Sequence, residues 1–339
     1  MRTVLKIGKA ALLGAQLLIL AGWVWLALES RPQHRAAGRP VIFEVQKGKG
    51  VGAIAADLRA SGVIRKRTPF ILAYELFYAP RNVKAGEYEL PADGRILDIL
   101  GRLVEGRVVL HPVTIAEGLT ENEILGHLAA SGFGRLETFE AAARDTADIA
   151  FLDPKAADLE GYLYPETYHF PKGATAEEIL QRMTGQFREV FDSSFRAGTA
   201  ARRMSVRDVV TLASLIEKES ALPAERKLVS AVFHNRLDLG MKLDCDPTVI
   251  YGLTRIGPFE GRLRTKDLKT DTPYNTYLHA GLPPGPICSP GRVSLEAAIN
   301  PADVDYLYFV SRNDGSHEFS RTLTAHRRAV RKYQQAPGR

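Results

Sequence analysis

One stretch, Ser205 to Leu222 (S-V-R-D-V-V-T-L-A-S-L-I-E-K-E-S-A-L), narrows the folding options of this chain more than any other. Ser205 followed by Asp208 has the form of a capping box, which satisfies the free N–H groups of a first helical turn. Val206, Val209, Val210, Leu212, Ala213, Leu215 and Ile216 recur at helical spacing, so the helix must pack into a core. Pro223 predicts its end near Leu222, because the residue before a proline avoids the helical region. Glu217 and Glu219 then fall on the last turn, where a carboxylate meets unfavourable carbonyl dipoles. Such a place suits an acid whose pKa has to be raised. It equally suits two rim residues solvated at a helix end.

The rest of the chain is expected to wrap around this helix. Its 339 residues suggest about two globular units, and 45% hydrophobic with 25% charged residues permit a sizeable core. Part of the net charge of +6 lies at the two ends, with Arg31, Arg35 and Arg39 early and Arg327, Arg328, Arg331 and Lys332 late. That distribution fits an anionic surface or acidic polymer and is too diffuse to argue for nucleic acid. Cys245 and Cys288 form no C-x-x-C or zinc-like cluster and read as free thiols rather than a bridge.

Ala10 to Leu28 is apolar except for Gln16, carries Trp23 and Trp25 near its far end, and has the length of a bilayer span. Arg2, Lys6 and Lys9 before it predict a cytoplasmic N-terminus. The run is long for a signal-peptide core, and no convincing A-x-A site follows. The expectation is a cytoplasmic tail (1–9), a transmembrane helix (10–28), a polar linker (29–40) and everything beyond outside the cytoplasm.

A weak internal repeat follows. Val41–Val45 reads as a strand, then come Gly48, a helix with Ile54 and Leu58, and Ala60-Ser61-Gly62. The same order returns at Val113–Ile115, Gly118, Ile124, Leu128 and Ala130-Ser131-Gly132. Thr120 and Glu123 form another capping box. The first unit continues through a helix at Phe70–Leu76 to a strand at Tyr88–Leu90. This β-α-α-β order resembles the LysM module, which grips N-acetylglucosamine polymers; a purely structural subdomain is the alternative. Gly48-Lys49-Gly50-Val51-Gly52-Ala53 mimics a dinucleotide fingerprint, but no acidic residue closes a following strand.

Glu160 to Phe170 is dense in aromatics beside acids, which fits either a sugar-binding wall or buried turn packing. Thr175 and Glu178 cap a helix expected to reach Phe195. Ala224–Leu239 is a second amphipathic helix, and Asp246 is read as the cap of a helix opening with Pro247. Proline-rounded loops follow at 272–277, 281–285 and 289–291, then a short helix at Ser294–Ile299. A strand at Tyr306–Val310 turns at 313–316 toward Glu318-Phe319, and a last helix begins near Thr324. The expected fold class is α+β, with a LysM-like subdomain over 41–110, a second α/β subdomain over 111–200 and a mixed catalytic domain over 201–335.

No H-E-x-x-H, G-x-S-x-G or phosphate loop is present; His317-Glu318 has no second histidine in place, and no metal or cofactor is implied. Carboxylates, aromatics and hydroxyls outside a membrane remain, the inventory for cutting a glycosidic bond. Leu215–Ser220, Val232–Leu237, Asp246–Gly252, Tyr274–Tyr277, Gly281–Ile287 and Tyr306–Val310, in this order, resemble the endolytic murein transglycosylases (the MltG or YceG-like family) along nearly the whole chain. The resemblance implies an inner-membrane enzyme that cuts peptidoglycan strands internally, near the wall-synthesis machinery, with no nucleic-acid partner. Periodicity does not separate the two glutamates. The family's E-K-E-S/T pattern places the catalytic residue on Glu219, with Glu217 and Ser220 supporting. Glu166, Asp246, Thr248, Tyr251, Tyr274, Asn275 and Tyr277 are the candidates for holding sugar. A muramidase using Glu219 with Glu166, Glu217 or Asp246, and a wall-binding scaffold without catalysis, remain the alternatives.

Overall fold

The computed structural model describes residues 39–91 and 94–334, with isolated positions 14, 16, 22 and 23. Apart from those four positions, the expected membrane anchor over 10–28 lies outside the described residues. No described helix is long and apolar enough to cross a membrane. The described chain is mixed α+β, with twelve α-helices and three two-stranded sheets. It divides into two compact units, one of residues up to 111 plus 169–173, the other of residues 112–168 and 174 onward. The stretches 111–200 and 201–335 thus fold largely within a single unit.

In the first unit, β1 (Val41–Val45), α1 (Val51–Ala60), α2 (Arg67–Phe77) and β2 (Gly86–Leu90) follow in the expected order. β1 and β2 pair antiparallel, with Val41 opposite Leu90 and Phe43 opposite Tyr88. Alternation sends Phe43, Val45, Tyr88 and Leu90 to one buried face. A third helix, α3 (Ile96–Glu105), adds Ile96, Ile99, Leu100, Leu103 and Val104 to the same core. Sequence order had closed the β-α-α-β unit before this helix.

The repeat is real at the level of backbone hydrogen bonds. At the end of α1, the N–H groups of Ser61, Gly62 and Val63 donate to the carbonyls of Asp57, Arg59 and Leu58. β3 (Leu110–Thr114) leads to α4 (Glu121–Ala130), where Ser131, Gly132 and Phe133 donate to His127, Ala129 and Leu128 in the same pattern. Gly62 and Gly132 both occupy left-handed backbone (φ 69° and 85°), which a glycine reaches without a Cβ penalty. The Thr120–Glu123 capping box forms as expected.

The chain continues with α5 (Leu136–Ala142), β4 (Thr167–Pro171, paired with β3), whose residues 169–171 count with the first unit, and α6 (Ala176–Val190). The helix expected to run to Phe195 breaks at Phe191, and α7 (Ser193–Ala201) restarts under an Asp192 cap that accepts from the Ser194 and Phe195 N–H groups. Asp192 is a better cap than helix interior, which wins over the continuous apolar pattern.

α8 (Val206–Glu219) is the central helix, with its Ser205–Asp208 capping box formed and every residue from Val209 to Ile216 buried. α9 (Arg226–Asp238), α10 (Asp246–Ile256), α11 (Arg292–Ile299) and α7 all pack against it. The helix ends at Glu219, earlier than the expected Leu222. Ser220 leaves the helical region (φ −123°, ψ 111°) and the chain enters a 3-10 turn at Pro223–Glu225. Asp246 is not the cap of α10; Cys245 holds that position and Asp246 is already helical. The hairpin β5 (Tyr308–Ser311) and β6 (His317–Ser320) then leads into α12 (Leu323–Gln334).

Candidate active site

The two glutamates of α8 have different surroundings. Glu217 is committed to the protein. Its Oε1 lies 2.6 Å from the Arg226 guanidinium and its Oε2 accepts the Gly291 N–H at 3.0 Å. Both side chains of this ion pair are nearly buried, at 6% and 8% exposed, and Glu117 approaches the same guanidinium at 3.4 Å. A Cβ on Gly291 would land on the Glu117 carboxyl, so the glycine lets this carboxylate come close.

Glu219 instead lines a cavity of about 440 Å³, together with Arg236, Asp244, Asp246, Tyr277, Tyr308, Phe309, His317 and His326 among others. Burial, with the Asp246 carboxylate adding to it, pushes its carboxyl up to about 7, while a hydrogen bond with the Cys245 thiol and the nearby His317 and Arg236 side chains pull the other way. Glu219 thus holds a proton near neutrality at the wall of an open space.

Each wall of the cavity has a local cause. Arg236, on α9, gives Nε to Leu307 O at 2.7 Å and Nη1 to Lys242 O at 3.1 Å, Leu243 O at 3.0 Å and the Asp244 carboxylate at 3.2 Å. This one side chain ties the segment before α10 to the segment before β5. Asp244 adopts left-handed backbone (φ 47°), which a short polar side chain tolerates. Neighbouring His234 and Asn235 bond the carbonyls of Ala298, Val304 and Tyr306. The Val232–Leu237 motif is therefore a clamp on the loop that leads to β5.

The sequence candidates separate into three groups. Asp246 and Tyr277 share the cavity with Glu219, and Tyr277 donates to Asp246 at 2.6 Å. Thr248 and Asn275 are fully buried. Thr248 bonds Cys245 O and Thr276 Oγ1, and Asn275 donates to Leu268 O and Thr270 O. They shape the loop instead of facing open space. Tyr251 and Tyr274 stack edge to face at 4.8 Å, and the Tyr251 hydroxyl donates to the buried Glu160 carboxylate at 3.1 Å, away from the cavity lining. Glu166 is exposed and takes no part in the cavity. Ser220 is buried, its hydroxyl on Leu222 O at 3.0 Å, where it shapes the turn after α8.

The aromatic stretch 160–170 is largely core: Tyr162, Leu163, Tyr168 and Phe170 are buried, and Tyr162 donates to Asp153 at 2.7 Å. Of its two readings, turn packing is the one the structure adopts. Cys245 and Cys288 are free and buried. Among the described residues no cluster of three or more His, Cys, Asp or Glu side chains is arranged to hold a metal ion.

Arg236, Asp244, Tyr308, His317 and His326 line the cavity without having been singled out as candidates from the sequence, and Glu225 stands behind His317. Glu225 and His317 carry no periodic signal. His317 enters the sequence reading only as a His-Glu pair without a second histidine, and its place just after the Asn313–Ser316 turn is the signal that could have pointed to the cavity.

Comparison with known proteins gives a consistent result. A model of the YceG-like family matches residues 43–332. A protein of Bacillus subtilis (strain 168) named endolytic murein transglycosylase is 32% identical over 318 residues, covering 89% of this chain and 87% of its own length. One of the same name from Streptococcus pneumoniae serotype 2 is 29% identical over 300 residues, covering 80% of this chain and 54% of its own. A crystal structure of a yceG-like protein from Listeria monocytogenes superimposes with a TM-score of 0.59 at 31% identity, over 86% of this chain and 100% of that one.

Proposed function

The chain belongs to the YceG-like family, and from that premise we propose that it is an endolytic peptidoglycan lytic transglycosylase with Glu219 as its acid and base. The observation that carries the assignment is the contrast within α8: Glu217 is tied to Arg226, while Glu219 stands protonated near neutrality at an open cavity.

In this mechanism Glu219 donates its proton to the oxygen linking N-acetylmuramic acid to N-acetylglucosamine. The C1–O bond breaks with its electron pair on the leaving oxygen, and an oxocarbenium-like centre develops. The carboxylate just formed then removes the proton of the muramic C6 hydroxyl, whose oxygen closes onto C1. The product is a 1,6-anhydro end and no water is consumed, so one carboxylate suffices. A carboxylic acid kept neutral by burial meets the first requirement. Asp246 and Tyr277 are taken as sugar contacts, a reading supported by their lining the same cavity as Glu219.

The presence of Asp246 in that cavity also supports a second reading, a muramidase in which Asp246 places water or attacks C1. Of the alternative second carboxylates, Glu166 does not line the cavity and Glu217 is engaged by Arg226. The β-α-α-β unit over 41–91 is proposed as a LysM-like grip on N-acetylglucosamine, and residues 10–28 as an anchor in the inner membrane that holds the rest outside the cytoplasm, beside the synthases of the wall.

Digestion of purified glycan strands followed by mass analysis tests the reading. Ends one water lighter than reducing sugars are expected. Reducing ends would establish the muramidase, and uncut strands in the presence of binding would leave a scaffold.

A further inference from the structure

His317 is held in a way that nothing in the mechanism above uses. Its Nδ1 lies 2.7 Å from Glu225 Oε2, and its own backbone N–H donates to Glu225 Oε1 at 3.1 Å. One carboxylate therefore grips both the ring and the main chain of the same residue. Both side chains are mostly withdrawn from solvent, at 12% and 15% exposed. Phe309 and Phe319 pack their rings against the imidazole, at centroid distances of 5.4 and 6.3 Å. A ring fixed on three sides in this way has little freedom to turn.

The carboxylate on Nδ1 decides the chemistry of the far nitrogen. A carboxylate can only accept, so Nδ1 carries a proton, and the lone pair lies on Nε2 whenever the ring is neutral. No protein group among the described residues bonds that nitrogen, and His317 lines the cavity that Glu219 lines. Glu225 reaches this place because the Pro223–Glu225 turn reverses the chain directly after the catalytic helix. The same turn therefore sets both the end of α8 and the orientation of the ring.

We propose that His317 is a substrate-binding residue of the Glu219 cavity, its Nε2 accepting a hydrogen bond from a ring hydroxyl of the bound glycan, with Glu225 as the positioning residue that fixes the tautomer. No proton is transferred at His317; Glu219 remains the proton carrier. The inference takes its substrate class from the function proposed above.

The test uses the full chain carrying Glu219→Gln, which binds without cutting. With 15N-labelled histidine, purified glycan strands are expected to move the His317 Nε2 resonance and leave Nδ1 in its protonated form. In the cutting enzyme, His317→Ala is expected to raise KM about three- to tenfold, the worth of one neutral hydrogen bond, with a smaller effect on kcat. His317→Gln, whose amide reaches the position of Nε2, is expected to restore most of that loss, which a purely structural role would not allow. Glu225→Gln is expected to mix the two tautomers of the ring. Strand binding with a silent Nε2, or equal KM values for the Ala and Gln variants, overturns the assignment and leaves the transglycosylase reading intact. Failure of the Glu219→Gln protein to bind strands at all overturns both.

Discussion

Two carboxylates separated by one residue on the same helix are expected to answer mutation in opposite ways. Glu219→Gln removes the acid, and strand cleavage is expected to fall at least about a hundredfold, the usual worth of a positioned general acid. The fold should not suffer, because an amide is easier to bury than a carboxylate. Glu217→Ala leaves the Arg226 guanidinium buried without its main partner, at a cost of about 3–5 kcal/mol. Urea unfolding of the two variants separates these roles. The pH dependence follows from the same residue. In the proposed mechanism Glu219 acts in its protonated form, so kcat/KM is expected to decline as pH rises through about 7. Asp246→Asn removes a negative neighbour that raises Glu219, so the alkaline limb should move to lower pH. A limb that stays in place would show that Asp246 does not act on the acid.

Within the elements, local chemistry was the most legible part of the sequence. The capping boxes at Thr120, Thr175 and Ser205 all form, because each is settled by four consecutive residues. Ser205→Ala is expected to cost about 1 kcal/mol in unfolding free energy, with kcat unchanged because the cap is at the opposite end of α8 from Glu219. Element ends were less legible. The end of α8 is decided by how the chain enters the turn at Pro223, and the break before α7 by Asp192. The family pattern selected Glu219, whereas periodicity alone left the pair undecided. What patterning missed was the cavity lining: His317, Glu225 and Arg236 meet only through the packing of α9, the 3-10 turn and the β5–β6 hairpin. Thr248, in the first turn of α10, and Asn275, in a proline-bounded loop, have the polar look of ligand contacts, and in the structure both satisfy buried backbone groups.

Across the second unit, burial of acids links stability to pH. Burial raises Glu160 to about 8, the Glu121 carboxylate adding to the effect, and raises Glu121 to about 7, with Asp158 contributing. They are cross-braced, since Glu160 accepts the Glu121 N–H at 3.0 Å and Glu121 accepts the Leu159 N–H at 2.7 Å. A carboxyl held above its unfolded value keeps its proton in the folded protein over a range where the unfolded chain has lost it. Folding free energy from these groups is therefore fully present below 4.5 and is lost as pH rises toward about 8. Thermal unfolding midpoints should climb on acidification from above about 8 to near 6, and Glu160→Gln should flatten that slope. The cavity has a different bearing on the molecule's history. Its acid lies at residue 219, but its far wall is residues 308–326. During synthesis Glu219 leaves the ribosome well before the hairpin and last helix that complete its cavity, so the space beside it exists only once His326 has been made.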